Sequence, residues 1–288
     1  MRTAAERLLR ERAAGLFLFA GLSVSSALFL YPYAVEERAQ ITQTAQVAGY
    51  QEEVDETGEE NLEAEGKKAD AYNAAIRERQ KREKFHYLGE TATDAQYEET
   101  LKNTDGIMGY LEVPSCDIYL PFAHGTRAET LRTMAGHMYG TSLPVGGPGT
   151  HAVLAGHTGL PSAELFSSLE KVKEGDCFEI HVLGRKLHYR VKEVLTVLPE
   201  EADSRLSVRE GMDLVTLYTC TPYGINDHRL LVCGEREIPD SEDAGAAEET
   251  EAAAVIRCRE AVLRYVCALS VPFLLAAAGA ADFLRRKK

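Results

Sequence analysis

The chain has 288 residues, 45% hydrophobic and 27% charged, which is enough apolar material for one packed domain plus extensions. A formal net charge of −13 would repel a phosphate backbone and argues against a nucleic-acid partner. The acid is unevenly spread: residues 240–251 hold six acidic side chains and no basic one, so much of the imbalance belongs to a tether.

Residues 1–13 form a basic tail carrying Arg2, Arg7, Arg10 and Arg12. Residues 14–34 contain no charged side chain and reach the roughly 20 residues needed to cross a bilayer. A transmembrane helix is expected over 14–35, its N-terminus cytoplasmic because the arginines precede it and Glu36 and Glu37 follow. A cleaved signal sequence, cut near Ser23 to Ala27, is the competing reading. Residues 36–105 read as a helical extension. Its acidic stretch 52–60 is expected to be mobile, and residues 61–85 to be a helix with Leu62, Ala69, Tyr72 and Ile76 on one side.

From residue 106 the texture changes to short β-type runs between Gly and Pro turns. Strands are expected over 107–113, 117–122, 151–155, 176–183, 186–198, 212–220 and 229–237, with short helices over 128–134 and 162–169. Seven or eight strands with little helix over 106–238 suggest a mainly β domain, either a closed barrel or a sandwich. An acidic linker over 239–257 leads to a second apolar stretch, so a second transmembrane helix is expected over 258–284. A buried core helix is its bland alternative. The tail 285–288 is Arg285, Arg286, Lys287 and Lys288, again a cytoplasmic signature. Two spans are expected to hold the protein in the cell membrane with both termini cytoplasmic and the β domain extracellular.

Six cysteines in an outer-facing protein invite a disulfide reading, but Cys258 and Cys267 fall at or within the second apolar stretch. No Cys-x-x-Cys pair supports a zinc site, and neither a metal nor a cofactor is expected. Cys116, Cys177 and Cys233 read as small buried residues on strands.

Cys220 differs. The alternation over 215–220 puts Thr216, Tyr218 and Cys220 on one strand face, and Pro222 and Gly224 end the strand just beyond the thiol. A strand-end thiol is accessible to a carbonyl, whereas a structural cysteine would sit in mid-sheet. His157 follows a strand and lies between Gly156 and Gly159, where an imidazole can accept and return a proton. Among eight histidines, His124, His137, His151 and His228 compete for that role. Arg229 stands nine residues after Cys220 and, across a hairpin, would reach a carbonyl under attack. Pairing with Asp227 or Glu235 on an exposed strand is its alternative.

The run Thr216-Leu217-Tyr218-Thr219-Cys220 resembles the TLxTC signature of sortases, the cysteine transpeptidases of Gram-positive bacteria. Gly140-Thr141-Ser142-Leu143-Pro144-Val145-Gly146-Gly147, Gly159-Leu160-Pro161, Leu165-Phe166, Thr221 to Asn226 and His228 to Val232 resemble class C, the pilin polymerases. The resemblance implies an eight-stranded closed β-barrel with Cys220 as nucleophile, His157 as general acid/base and Arg229 stabilising the oxyanion and the substrate. Thr219, Tyr223 and Gly224 beside the thiol are expected in the substrate groove. It further implies cleavage of a Leu-Pro-x-Thr-Gly-like sorting signal between Thr and Gly, a Cys220 thioester, and transfer to a lysine of another pilin subunit. The partners would be pilins or surface proteins bearing such a signal. Attachment of single surface proteins to the cell wall and a non-catalytic pilus-assembly scaffold are alternatives, and a disulfide-stapled adhesin is a third. Two departures stand out. The candidate lid region 85–104 lacks the Asp-Pro-aromatic tripeptide usual in class C, and Thr158 stands after His157 where arginine is frequent.

Overall fold

The structure is a computed structural model that describes residues 4–160 and 163–237. The described residues fall into two compact units divided between residues 37 and 38. The linker expected over 239–257, the span over 258–284 and the tail 285–288 lie outside the described residues.

Helix α1 (Ala4–Glu56) is a single element of 53 residues. Its apolar part is long and hydrophobic enough to cross a membrane. Phe17, Leu28 and Phe29 are each more than two-thirds exposed, a surface suited to lipid. The acidic stretch expected to be mobile instead completes α1 as far as Glu56. Glu53 is held there because its carboxylate accepts the Thr104 N–H and hydroxyl, both at 3.1 Å. Helix α2 (Glu59–Arg82) follows a break at Thr57 and Gly58, with Glu59 and Glu60 at its electropositive start and Arg79, Lys81 and Arg82 in its last turn. Ala69, Tyr72 and Ile76 are buried as the periodicity requires. Asn73 joins them, donating to Leu143 O at 3.0 Å and accepting from Leu143 N at 2.6 Å. Helix α2 thereby fastens the loop that follows the third strand.

Eight strands close a barrel: β1 (Ile107–Val113), β2 (Ile118–His124), β3 (Ala135–His137), β4 (Thr150–Ala155), β5 (Cys177–Val182), β6 (Arg185–Val197), β7 (Asp213–Thr221) and β8 (His228–Arg236). Their order around the barrel is β1-β2-β3-β4-β7-β8-β6-β5. Pairs β2/β3 and β4/β7 are parallel, and the others are antiparallel. The barrel, not the sandwich, is the architecture. Strand β3 escaped the sequence reading because three residues containing glycine carry no alternation to detect.

Inward side chains, among them Leu111, Phe122, Leu154, Phe178, Ile180, Val215, Leu217 and Val232, form the barrel core. A second apolar layer lies over the β4/β7/β8 face: Phe85, Met138, Val153, Ala155, Leu206 and Leu231, with Tyr87, Val197 and Tyr218 packed against it. Helix α3 (Ala95–Glu99) and α4 (Ala128–Leu131) are short. No helix forms over 163–168, where Leu165 has φ +43° and breaks helical geometry; a single 3₁₀ turn follows at Leu169–Lys171. The cysteine expectations also need correction. Cys116 is buried, but in the 3₁₀ turn Pro114–Cys116, and Cys177 is exposed at the start of β5. Cys233 is buried on β8 as expected.

Candidate active site

The parallel pair β4/β7 sends both strands out of the barrel at the same end. Ala155 pairs with Tyr218, and the ladder continues one step as Gly156 N–H donates to Tyr218 O at 3.0 Å. The ladder stops there, and His157 stands on the loop two residues beyond the end of β4, on the β4 side of β7. On the other side of β7, antiparallel β8 pairs Arg229 directly with Cys220. Neighbouring strands lie about 4.8 Å apart, so the guanidinium's strand position adjoins the thiol's on one side, while the loop bearing His157 leaves β4 on the other. Cys220 is a free, half-buried thiol.

The loop carrying His157 is held on both sides. Thr219, buried on the inner face, donates its hydroxyl to Gly156 O at 2.6 Å and lies 2.7 Å from the Thr158 hydroxyl. Phe166 N–H donates to His157 O at 3.1 Å. Gly156 has to be glycine here, because a Cβ at that position would stand 2.7 Å from the Phe166 ring. Thr219 is only 1% exposed, so it braces the histidine loop and does not line a groove. Tyr223 and Gly224 are exposed, and the Tyr223 ring lies against Gly159, bridging the loop after β7 to the loop after β4. Thr158, where an arginine was the familiar choice, is buried in this brace.

The competing histidines have other duties. His137 is fully buried, donating from Nε2 to Ser142 O at 2.7 Å with Nδ1 at 2.9 Å from the Tyr97 hydroxyl. Burial pushes its pKa down to about 3. His151 is also fully buried, donating to Ser207 O at 3.0 Å and facing the Thr216 hydroxyl at 2.7 Å; burial takes it down to about 4. His124 donates to Thr100 O at 2.8 Å, and burial lowers it too. His228 lies 2.7 Å from the Asp227 carboxylate and pairs with Thr221, one step along β8 from Arg229. Among the described residues no hydrogen bond or ion pair engages the His157 ring.

Arg229 does not pair with Asp227 or Glu235. Its Nε–H donates to the Tyr218 hydroxyl at 3.1 Å, and Nη1 donates to Asn226 O at 3.1 Å and His228 O at 2.9 Å. Tyr218 projects on the same outer face as Cys220, and burial raises its phenol above the ordinary value while Arg229 pulls the other way.

The sequence left open what stands in place of the absent lid tripeptide. Asp94 caps α3, accepting from Tyr97 N–H at 2.8 Å and from the Tyr139 hydroxyl at 2.8 Å. A strap of Phe85, His86 and Tyr87 runs instead along the β6–β7 connection, which contains α5 (Pro199–Ala202). Phe85 N–H donates to Ser207 Oγ at 3.1 Å and Tyr87 N–H to Asp203 Oδ2 at 3.0 Å. His86 Nδ1 lies 2.8 Å from the same Asp203 oxygen, and the Tyr87 hydroxyl lies 2.9 Å from that of Thr126. Both aromatic side chains join the layer that contains Tyr218.

A different cluster could offer metal ligands. Glu112, Glu179 and His181, on β1 and β5, bring three ligand atoms within 4.8 Å of one another. Lys186 Nζ already lies 3.3 Å from Glu179 and His188 Nδ1 2.9 Å, so an ion-pair network accounts for the group.

Residues 111–237 match the family model of the sortase domain. Sortase C of Streptococcus pneumoniae, described in terms of catalysis and pilin substrate specificity, is 38% identical over 68% of this chain and 97% of its own, with a TM-score of 0.61. Sortase C1 of Streptococcus agalactiae is 38% identical over 68% of this chain and 100% of its own, at a TM-score of 0.62. Sortase C-1 of Actinomyces oris is 43% identical over 62% and 99%, at 0.56. The search of curated proteins found no match.

Proposed function

The chain belongs to the sortase family, in its class C branch of cysteine transpeptidases, and on that premise we propose that it polymerises pilins from the outer side of a cell membrane. Cys220 attacks the Thr carbonyl of a Leu-Pro-x-Thr-Gly-like sorting signal. His157 takes the thiol proton and returns one to the Gly amine as the Thr–Gly bond breaks, leaving the Thr as a Cys220 thioester. A lysine amine of a second pilin subunit then attacks the thioester, gives up its proton to His157, and releases the thiol. Arg229 stabilises the oxyanion in both halves of the reaction. The cycle runs without metal or cofactor.

One observation carries this reading: Cys220 stands on β7 between the loop of β4 that bears His157 and its direct partner Arg229 on β8. Exposed Tyr223 and Gly224 at that barrel end support a role in the substrate groove. The first apolar helix, preceded by arginines, supports a membrane anchor with a cytoplasmic N-terminus, and the basic C-terminal tail supports a second span over 258–284. On this reading the catalytic barrel is residues 106–238, with 36–105 as its helical extension.

The acceptor decides between pilus building and attachment of single proteins to the wall. Full-length protein in detergent is given a sorting-signal peptide together with a pilin domain and a peptidoglycan-like amine. Pilin–peptide conjugates through a lysine are expected, and exclusive use of the small amine would end the polymerase reading.

A further inference from the structure

Tyr218 occupies the position that the Thr-Leu-x-Thr-Cys signature leaves open. It faces outward with Cys220, and its ring packs against the apolar layer that includes its strand partner Leu231. That packing holds the phenol oxygen in place, where it accepts the Arg229 Nε–H at 3.1 Å. The carbonyls of Asn226 and His228 hold Nη1 at 3.1 and 2.9 Å. Those two bonds hold the Nη1 end of the planar guanidinium. The bond from Nε to the phenol adds a third tie at a different nitrogen, which stiffens that orientation. Nη2 carries no hydrogen bond among the described residues and is left to meet a developing negative charge.

We propose that Tyr218 is a positioning residue for Arg229: its phenol fixes the guanidinium plane so that the unengaged side presents to the carbonyl attacked by Cys220. The inference rests on the oxyanion role given to Arg229 above. The anchor is neutral, and that matters. Among the described residues no carboxylate pairs with Arg229, and the adjacent Asp227 is engaged by His228 at 2.7 Å. A carboxylate partner would orient the guanidinium but also neutralise much of its charge, whereas a phenol orients it and leaves the full charge for the transition state. Burial keeps that phenol protonated, against the pull of Arg229. Preorganisation of this kind acts on the chemical step and not on substrate affinity, because the oxyanion exists only along the reaction path.

The test uses full-length Tyr218→Phe in detergent with a quenched-fluorescent Leu-Pro-Glu-Thr-Gly peptide, rates being referred to the folded protein recovered by size-exclusion chromatography so that unfolded protein does not count. The expected result is a roughly tenfold fall in kcat with KM within about twofold. In an Arg229→Ala background the same substitution should alter the residual rate less than about twofold, since the group it positions is gone. Selective ¹⁵N labelling of arginine reads the bond without turnover, and Y218F should shift the Arg229 Nε–H resonance. An unmoved resonance, an unchanged kcat, or an equal loss in the R229A background overturns the proposal. Full turnover by R229A alone would remove the Arg229 role and this inference with it. An impaired R229A beside an unimpaired Y218F removes only the role of Tyr218.

Discussion

Acid should loosen the ties of β3 and β4 to the loops beside them, because two buried imidazoles there are held neutral. His151 ties β4 to Ser207, which in turn holds Phe85 of the strap, and His137 ties β3 to Ser142. Burial holds His137 at about 3 and His151 at about 4, against about 6.5 in an unfolded chain. The unfolded state therefore takes up both protons first, and stability present above about pH 6.5 is lost as pH falls toward those folded values. Linkage gives a slope of about 2.7 kcal/mol per pH unit for two protons, and a loss near pH 5 of about 2 kcal/mol per histidine. Urea unfolding of the full chain in detergent, followed by tyrosine near-ultraviolet circular dichroism, measures the slope between pH 6 and 4.5. In His151→Gln, which keeps a donor and an acceptor but cannot titrate, the slope should fall by about one proton's worth, roughly 1.4 kcal/mol per pH unit. Comparing variant with parent cancels every other titrating group. An identical slope in the two proteins would refute the assignment of a buried neutral His151.

Three further outcomes follow from the same contacts. Gly156→Ala drives a Cβ into the Phe166 ring, now 2.7 Å from that point, and should cost about 1–3 kcal/mol in thermal unfolding and lower turnover by displacing His157. Alkylation with iodoacetamide at pH 8 should label Cys220 and exposed Cys177 well before Cys116 and Cys233; burial raises the Cys116 thiol to about 11 and also raises that of Cys233, and peptide mapping reads the order. Asp203→Ala removes the acceptor shared by Tyr87 N–H and His86, so trypsin should cut at Arg82 and Lys84 several-fold faster, and an unchanged digestion rate would mean the strap is held elsewhere.

Much of the barrel was legible because its strands are short alternating runs between glycine and proline turns. Strand β1 falls on the expected residues, and β6, β7 and β8 shift by a residue or so at their ends. Strand β3 was not legible, since Ala135–His137 owes its conformation to its neighbours β2 and β4 and not to its own pattern. The end of α1 misled for a similar reason: an acidic stretch looks solvated until Thr104, about fifty positions on, supplies donors to Glu53. For the site, the turn after Cys220 and the hairpin to Arg229 follow from local sequence. The role proposed for His157 does not, because what separates it from His137 and His151 is their full burial on the barrel wall. Thr219 illustrates the limit well. Adjacency to the thiol suggested a groove residue, but strand alternation turns its side chain inward to brace Gly156. Tyr218, on the face of the thiol, was visible as a strand residue, while its contact with Arg229 depends on a diagonal between β7 and β8.

The account stands most directly on the covalent intermediate. Full-length protein is incubated with a Leu-Pro-Glu-Thr-Gly peptide, quenched in acid and mapped by mass spectrometry. The expected product is a Leu-Pro-Glu-Thr acyl group on Cys220, absent in Cys220→Ala and strongly reduced in His157→Ala and Arg229→Ala. An acyl group on Cys177, or peptide cleavage undiminished in Cys220→Ala, would contradict it.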